Sequence, residues 1–493
     1  MTYLRKIGSS LTVQALALVA YLVWTPWYFL RGHAAVLDPD IWWHMRVGDW
    51  ILENRALPHT GIYSQLAGHK PWIAYSWLFE VAVSRLYHWF GIVALPVSLV
   101  CLQASIAFVL FWTLRRVANG FWRAWMIAVV AMFAFRETVP LRPSSFTILF
   151  FIVELALILE ARRTGNVRWL YWLPPLMLLW ANIHIQFVYG VFVFGLFTLD
   201  AFLRSIGASR NWRWTRDQEA RELPSQTVEI VMVAVLVATC IGPYFIHIYG
   251  VIFGYARNTM QYDTIIELAA MTFRAPAHFV ELFMVAAVFF LKGWRRRVDF
   301  FGIMLLLSCA AVSFRSTRDA WFLCVAAALM AAEALRSEME QKKKEAAWQR
   351  WIPAAALVAG IAICIGAGSR ALKTQSLFDA IDAEYPIRAT EYVREHHLQG
   401  PMYNTFNWGG FLIFNLRGYP VSIDGRTDLY GSAYTSEAFL TVNGRDWNSD
   451  ATLARANFVL LEKTLPLASV LAADPQFQLV YADQIAAVFV RKR

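Results

Sequence analysis

Long apolar runs separated by short polar segments fill the first three quarters of this sequence. A membrane-spanning helix needs about 20 mostly apolar residues, and the run from Leu11 to Leu30 meets that requirement. Further apolar runs lie near residues 92–114, 123–137, 145–161, 169–183, 185–203, 227–243, 277–292, 299–313, 319–335 and 351–368. The pattern predicts a polytopic α-helical membrane protein with about eleven spans.

Basic residues fix the expected orientation. Arg5 and Lys6 precede the first apolar run, which places the N-terminus in the cytoplasm by the positive-inside rule. Arginine- or lysine-rich loops follow later runs near residues 115–123, 162–168, 204–226, 292–297 and 342–344. If all of these loops are cytoplasmic, the C-terminal segment lies outside. If the apolar segment 72–90 were a span, three of the basic loops would lie outside. We therefore interpret it as an interfacial or re-entrant helix.

The predicted organisation has two parts. Residues 1–368 form a transmembrane domain, in which residues 31–91 are an outer loop with interfacial helices. Residues 369–493 form a small extracytoplasmic α/β domain, because apolar runs there are short and bounded by Gly, Asn and Asp. The expected strands are 411–416, 420–423, 458–461 and 486–490.

Composition excludes several classes of protein. The chain is 58% hydrophobic and only 16% charged, which excludes a purely soluble protein. The net charge of +10 is largely explained by the cytoplasmic loops, so we expect no nucleic-acid partner. All five cysteines fall inside apolar runs, which argues against a disulfide framework or a cysteine zinc site.

Two carboxylates, Asp38 and Asp40, follow the first predicted helix on the outer side. Such a pair can hold a divalent cation (Mg or Mn), or one member can deprotonate a hydroxyl acceptor while the other orients it; a site without metal is equally open. The alternative is structural: Asp38 caps a helix that begins near Asp40, and Trp42 and Trp43 are interface anchors. Residues 40–55 fit an amphipathic helix, on which His44 lies one turn from Asp40 and is a candidate substrate ligand or a structural residue.

Other polar residues are candidate substrate contacts. Arg142, Arg315 and Arg318 are expected on the outer face, where guanidinium groups suit a lipid-linked phosphate, although contact with lipid headgroups is the simpler alternative. Asn182 and His184 end an apolar run and could line the same outer cavity as Asp40. In the C-terminal segment, Asp424 and Arg426 follow a predicted strand; sugar or phosphate binding and an ordinary tight turn are equally open there.

The pattern resembles the GT-C class of integral membrane glycosyltransferases. An acidic motif directly after the first helix, followed by an interfacial helix, carries the resemblance. More narrowly, the chain looks like an uncharacterised bacterial family grouped with this class, through the segments Asp40-Ile41-Trp42-Trp43-His44, Pro71-Trp72, Trp77-Leu78-Phe79-Glu80, Arg142-Pro143, Trp180-Ala181-Asn182-Ile183-His184, Trp408-Gly409-Gly410 and Ile423-Asp424-Gly425-Arg426.

This resemblance implies a glycosyltransferase of the bacterial cytoplasmic (inner) membrane. The donor would be a sugar on a polyprenyl phosphate, the acceptor an unidentified glycan, lipid or protein on the outer face, and Asp40 with Asp38 the catalytic pair. Two alternatives remain open from the sequence: a transporter or flippase of lipid-linked saccharides, and a non-catalytic envelope-assembly protein.

Overall fold

The computed structural model describes residues 10–209, 223–257, 268–294, 299–336 and 351–492. The basic segments at 342–344 and 295–297, and most of 204–226, lie outside the described residues. The helices of the first half are α1 Leu11–Arg31, α2 Ala34–Leu37, α3 Pro39–Asn54, α4 Trp77–Phe90, α5 Ala94–Ala118, α6 Phe121–Phe135, α7 Pro143–Thr164, α8 Leu173–Ile183, α9 Phe187–Ser209 and α10 Ser225–Thr239.

The second half contains both helices and strands. Its elements are α11 Ile248–Arg257, α12 Pro276–Trp294, α13 Phe300–Arg315, α14 Ala320–Ala334, α15 Ile352–Ala367, α16 Thr374–Glu384, α17 Ile387–Glu395, β1 Met402–Asn404, α18 Phe406–Asn415, α19 Thr427–Tyr430, α20 Ser432–Val442, α21 Ala451–Arg455, β2 Phe458–Glu462, α22 Pro466–Ala473, β3 Phe477–Ala482 and β4 Ala486–Arg491. The chain divides into two compact units, which are described separately.

The first unit comprises residues 1–28, 98–245 and 265–368. Five helical segments of the described chain are long and apolar enough to cross a membrane: Leu11–Arg31, Trp77–Ala118, Pro143–Thr164, Phe187–Gly207 and Pro276–Trp294. Four shorter apolar helices accompany them, at Ser225–Thr239, Phe245–Tyr255, Phe300–Arg315 and Ile352–Ala367. The chain is therefore a multi-pass membrane protein, and the count of about eleven spans and the membrane position of residues 72–90 stay predictions.

Buried ion pairs hold one end of this unit. Asp299 caps α13 by accepting a hydrogen bond from the N–H of Gly302, and it pairs with Arg162 at 3.0 Å and Lys292 at 3.1 Å. Lys292 also pairs with Glu333 at 2.9 Å. These residues stand at the ends of α7, α12 and α14 and at the start of α13, so the charges join four helix ends in one place.

The second unit comprises residues 29–97, 246–264 and 369–493. Its sheet has the strand order β1-β2-β4-β3; β1 and β2 are parallel, and the other pairs are antiparallel. Strands β2 and β4 are built from Val, Leu, Phe and Ala and are buried on both faces, as expected for central strands. The predicted strands 458–461 and 486–490 are thus confirmed.

The other two predicted strands are wrong. Residues 411–416 belong mainly to the helix α18, which packs against α3 and buries Phe411 and Leu412. An apolar run of this length fits a buried helix as well as a strand, and packing decides between them. Residues 420–423 form one isolated bridge, in which Val421 pairs with Ser64 of the 31–91 segment.

Candidate functional site

Asp40 lies at the first turn of α3, a helix that starts where the sequence predicts it. The Asp38 carboxylate caps the helix by accepting a hydrogen bond from the backbone N–H of Asp40 at 2.9 Å, and Pro39 takes the first helical position. Asp40 Oδ1 accepts a hydrogen bond from Trp43 Nε1 at 3.0 Å. The capping role of Asp38 is therefore confirmed, and Asp40 is half-buried with one oxygen held by the indole.

The two tryptophans of α3 pack inside the second unit. Trp42 is 3% exposed and makes edge contacts with Phe411 and Tyr385, with ring centroids 5.3 and 5.9 Å apart. Trp43 is 7% exposed and makes an edge contact with Trp72 at 6.5 Å. The expectation that they are membrane-interface anchors is wrong, because their rings fill the protein interior.

Gly425 lies directly against the Asp40 carboxylate. A Cβ placed on Gly425 would stand 1.9 Å from Asp40 Oδ1 and 3.2 Å from Trp43 Nε1. Gly410, in α18, makes a similar approach to the start of α3, because its Cβ would be 2.2 Å from the carbonyl oxygen of Pro39. The missing side chains of both glycines allow the C-terminal segment to meet the acidic turn.

Asp424 and Arg426, on either side of Gly425, form a buried ion pair. Arg426 donates from Nε to Asp424 Oδ1 at 2.8 Å and from Nη2 to Oδ2 at 2.7 Å, a bidentate arrangement. Its third nitrogen, Nη1, donates to the carbonyl oxygen of Ile62 at 2.8 Å, and the guanidinium lies over the Trp72 ring at 5.0 Å. Tyr430 donates its hydroxyl to Asp424 Oδ2 at 2.6 Å.

The electrostatics of this loop differ between its two carboxylates. Burial raises the pKa of Asp424, but the charge and hydrogen bonds of Arg426 outweigh it and leave the pKa below its ordinary value. Burial raises the pKa of Asp428 to about 6, against the opposing charge of Arg426. Asp428 Oδ2 accepts a hydrogen bond from Trp72 Nε1 at 3.1 Å. Asp424 is therefore an anion at neutral pH, and Asp428 gains a proton under mildly acidic conditions.

His44 points toward α4. Its Nδ1 lies 3.4 Å from Glu80 Oε1, its ring stacks at 3.6 Å on Trp43, and Phe79 meets it edge-on at 5.1 Å. Both His44 and Glu80 are buried, at 4% and 1% exposure. The close approach of α3 to α4 depends on Gly48, whose Cβ would be 2.1 Å from the Glu80 carbonyl oxygen.

Asp38 and Asp40 are the residues that would hold a divalent cation. Within the described ranges, no three or more His, Cys, Asp or Glu side chains are grouped as metal ligands. Asp38 and Asp40 each use an oxygen in a protein hydrogen bond, whereas Mg²⁺ or Mn²⁺ prefers six oxygen ligands. A divalent cation held by Asp38 and Asp40 stays a prediction.

A second polar cluster lies in the first unit, around Asp319 at the start of α14. Asp319 is 6% exposed, and its carboxylate accepts hydrogen bonds from Gln186 Nε2 at 2.9 Å and from the Tyr189 hydroxyl at 3.3 Å. Its carbonyl accepts one from the Ser313 hydroxyl, which in turn accepts one from the N–H of Leu323. The start of α9 is thereby joined to the turn between α13 and α14.

His184 belongs to the same end of the first unit. Its Nδ1 lies 3.1 Å from Thr147 Oγ1, which also accepts a hydrogen bond from Trp180 Nε1 at 2.9 Å. Burial lowers the pKa of His184, and the positive charge of Arg318 lowers it further. Thr147 and Arg162 are separated by about 22 Å of α7, so this polar end is opposite the Asp299 ion pairs.

The remaining candidate site residues differ in their contacts and exposure. Asn182 Nδ2 donates to the carbonyl oxygens of Leu178 and Ile241, at 2.8 and 3.0 Å. Arg142 is half-buried and precedes α7; Arg315 is exposed at the end of α13, and Arg318 is half-buried. Asp38, Asp40, His44, Asp424 and Arg426 belong to the second unit, and Arg142, Asn182, His184, Arg315 and Arg318 to the first.

Sequence reasoning missed several polar partners. Gln186, Tyr189 and Thr147 support Asp319 and His184, and Tyr430 supports Asp424. Gln186 and Thr147 are polar residues near the ends of apolar runs, which is the signal that could have identified them. Tyr430 carries no such signal, because its hydroxyl partner is defined only by the folded turn.

No protein-family model matches this sequence, and no curated protein matches it. Among solved structures, the chain is similar to the Archaeoglobus fulgidus oligosaccharyltransferase AglB in complex with an inhibitory peptide and a dolichol-phosphate. The TM-score is 0.51 at 12% identity, over 92% of this chain and 69% of that chain, and the apo form gives the same values. ArnT from Cupriavidus metallidurans bound to undecaprenyl phosphate has a TM-score of 0.47 at 12% identity, over 96% of this chain and 97% of that one.

The likeness to AglB extends over most of the chain and concerns the fold. The protein therefore has a GT-C-like fold, as the sequence resemblance predicts.

Proposed function

We propose that the protein is a membrane glycosyltransferase that moves a sugar from a polyprenyl-phosphate donor to an acceptor on the outer face of the cytoplasmic membrane. The observation that carries the proposal is the half-buried Asp40 carboxylate, held by Trp43 at a helix start in a GT-C-like fold. AglB with its dolichol-phosphate supports a lipid-linked donor. The proposed location is the bacterial inner membrane, with the N-terminus inside and residues 369–493 outside.

In this proposal Asp40 is the general base. Its carboxylate accepts the proton of the acceptor hydroxyl while the hydroxyl oxygen forms a bond to C1 of the sugar. The bond from C1 to the phosphate oxygen breaks, and the polyprenyl phosphate leaves with the electron pair. Asp38 supports this role by fixing the first turn of α3, on which Asp40 stands. His44, which is buried against Trp43 and Glu80, fits the structural alternative.

Residues of the first unit are proposed to bind the donor. The charges of Arg142, Arg315 and Arg318 would stabilise the negative charge that develops on the leaving phosphate. The neutral His184 imidazole, kept so by its lowered pKa, and the Asn182 amide add hydrogen-bonding groups. Guanidinium groups bind phosphate oxygens through paired N–H donors, which makes arginine the residue type suited to this task.

A transfer assay in lipid nanodiscs tests the proposal. The full chain is incubated with a panel of undecaprenyl-phosphate sugars and a membrane extract as the acceptor source, and release of undecaprenyl phosphate is followed. The proposal requires release by the wild type and its loss in Asp40→Asn, while Asp379→Asn, which changes an exposed carboxylate of α16, releases as much as wild type. Release that persists in Asp40→Asn contradicts the assigned base. In a parallel assay with sealed proteoliposomes, movement of the intact lipid-linked sugar across the bilayer, without release, would show a flippase. Saturable saccharide binding without release or movement would show an assembly protein.

A further inference from the structure

We infer that the buried Asp424–Arg426 pair is a positioning device for Asp40, acting through the backbone of Gly425. The inference rests on the proposed function, because it assigns the pair a role in the reaction of Asp40. It replaces the sequence-based expectation that Asp424 and Arg426 contact substrate themselves.

All three guanidinium nitrogens of Arg426 are engaged inside the protein. The side chain is 2% exposed, and Nε, Nη1 and Nη2 each donate to a protein oxygen. Its flat face is covered by Trp72. A guanidinium in this state offers no free fork to a phosphate or sugar, so its effect on the reaction must pass through the residues that it holds.

Gly425 is in close contact with Asp40. The backbone φ of Gly425 lies outside the left-handed region, so the glycine is required by space and not by conformation. The atom that a Cβ would strike is the same Oδ1 that accepts the hydrogen bond from Trp43. This oxygen is therefore confined between an indole N–H and a peptide backbone.

Arg426 ties the 424–426 turn to the 31–91 segment. It joins Asp424, at the start of the loop, to the carbonyl of Ile62, in the 31–91 segment. Gly409 of α18 packs against Asp424, since its Cβ would be 2.7 Å from Asp424 Cα. A shift of the ion pair would thus move the Gly425 backbone and with it the wall against the Asp40 carboxylate.

Two substitutions test the inference. Gly425→Ala places a methyl group against Asp40 Oδ1, and Arg426→Lys keeps the charge but removes the bidentate fork. The matched control is Gly254→Ala in α11, where a Cβ has no atom within 4 Å. All variants are made in the full chain labelled with 5-fluorotryptophan, and the Trp43 resonance is assigned from its loss in Trp43→Phe.

The expected result has a structural and a kinetic part. The Trp43 resonance and its pH titration, which report the indole hydrogen bond to Asp40, change in Gly425→Ala and Arg426→Lys but not in Gly254→Ala. Turnover falls by about 10- to 100-fold at unchanged KM, as expected for a displaced catalytic group in an otherwise intact site. A merely structural role would lower the melting temperature but leave the titration of the Trp43 resonance unchanged.

The outcomes separate this inference from the proposed function. An unchanged Trp43 resonance in both variants, or unchanged turnover despite a changed resonance, overturns the positioning role. If the wild type transfers no sugar, the proposed function fails by itself, and the resonance still decides whether Arg426 positions Asp40. If Arg426→Lys does not fold, Gly425→Ala carries the test, because it alters only the contact surface.

Discussion

The backbone of Gly425 lies against the carboxylate of Asp40, although the two residues are 385 positions apart in the 493-residue chain. The contact brings the turn at residues 424–426 to the acidic turn that begins α3. Because Asp40 Oδ1 also accepts the Trp43 hydrogen bond, the carboxylate is held in one orientation. An acidic residue fixed in this way is suited to receiving a proton from a bound hydroxyl.

The close packing of Gly410 against the start of α3 leads to the first prediction. Gly410→Ala would place a methyl group 2.2 Å from the Pro39 carbonyl oxygen, which is backbone and cannot turn away. We expect the variant to lose about 1–3 kcal/mol of stability, the usual cost of overpacking. Thermal unfolding in detergent checks it, with Gly254→Ala as the control. A melting temperature equal to wild type would show that α18 does not pack tightly on α3.

The donor-binding proposal predicts unequal effects of two arginines. Arg318 is half-buried and close enough to His184 to lower its pKa, whereas Arg315 is exposed. We expect Arg318→Ala to weaken undecaprenyl-phosphate binding by about tenfold or more, because a charge-assisted hydrogen bond contributes about 1.5–3 kcal/mol. Arg315→Ala should cost less, as exposed charges usually do.

Equilibrium binding of undecaprenyl phosphate to the purified chain measures this difference. Arg388→Ala, which removes an exposed arginine of α17, is the control and should bind as the wild type does. Equal affinity in wild type and Arg318→Ala would remove Arg318 from the proposed donor site.

The raised pKa of Asp428 predicts how the stability of the protein depends on pH. Its pKa is about 6 in the folded chain against an ordinary value of 3.8, so the folded chain binds more protons and its stability falls as the pH rises from about 4 to about 6. Asp428→Asn removes this penalty and keeps an acceptor for Trp72. We expect the variant to be more stable than wild type by about 2 kcal/mol at pH 7.5.

Thermal unfolding measured at several pH values checks the prediction for Asp428. The difference in melting temperature between Asp428→Asn and wild type should narrow as the pH is lowered from 7.5 toward 4, and Asp379→Asn should show no such trend. A melting-temperature difference that is constant with pH, or that favours wild type at pH 7.5, would show that the ionised Asp428 does not destabilise the protein.

The sequence was sufficient to predict those elements that are specified by residues within or next to the element itself. The start of α3 follows from Asp38 and Pro39, and β2 and β4 follow from dense Val, Leu and Phe. The error at 411–416 arose because Gly409 and Gly410 resemble turn residues. Their actual role, close packing against Ile423 and Pro39, depends on segments far away in the chain.

The candidate site was predictable only in part for the same reason. Asp40 is identified by its place after the first apolar run, and the fold class by the motifs around it. The burial of Arg426 was not predictable, because one of its hydrogen-bond partners, Ile62, is 364 positions away. A sequence pattern shows that an arginine follows a strand-like run. It does not show that oxygens of the protein accept the hydrogen bonds of the guanidinium group.

Release of undecaprenyl phosphate by Asp40→Asn and Asp40→Glu, measured beside wild type, tests the role of Asp40 as the general base. We expect Asp40→Asn to reduce turnover by about 10²- to 10⁴-fold, the usual contribution of a positioned base, while donor binding and the melting temperature stay close to wild type. Asp40→Glu should retain partial activity, because it keeps the carboxylate but displaces it. Wild-type turnover in Asp40→Asn, with the protein folded and donor bound, would contradict the central claim.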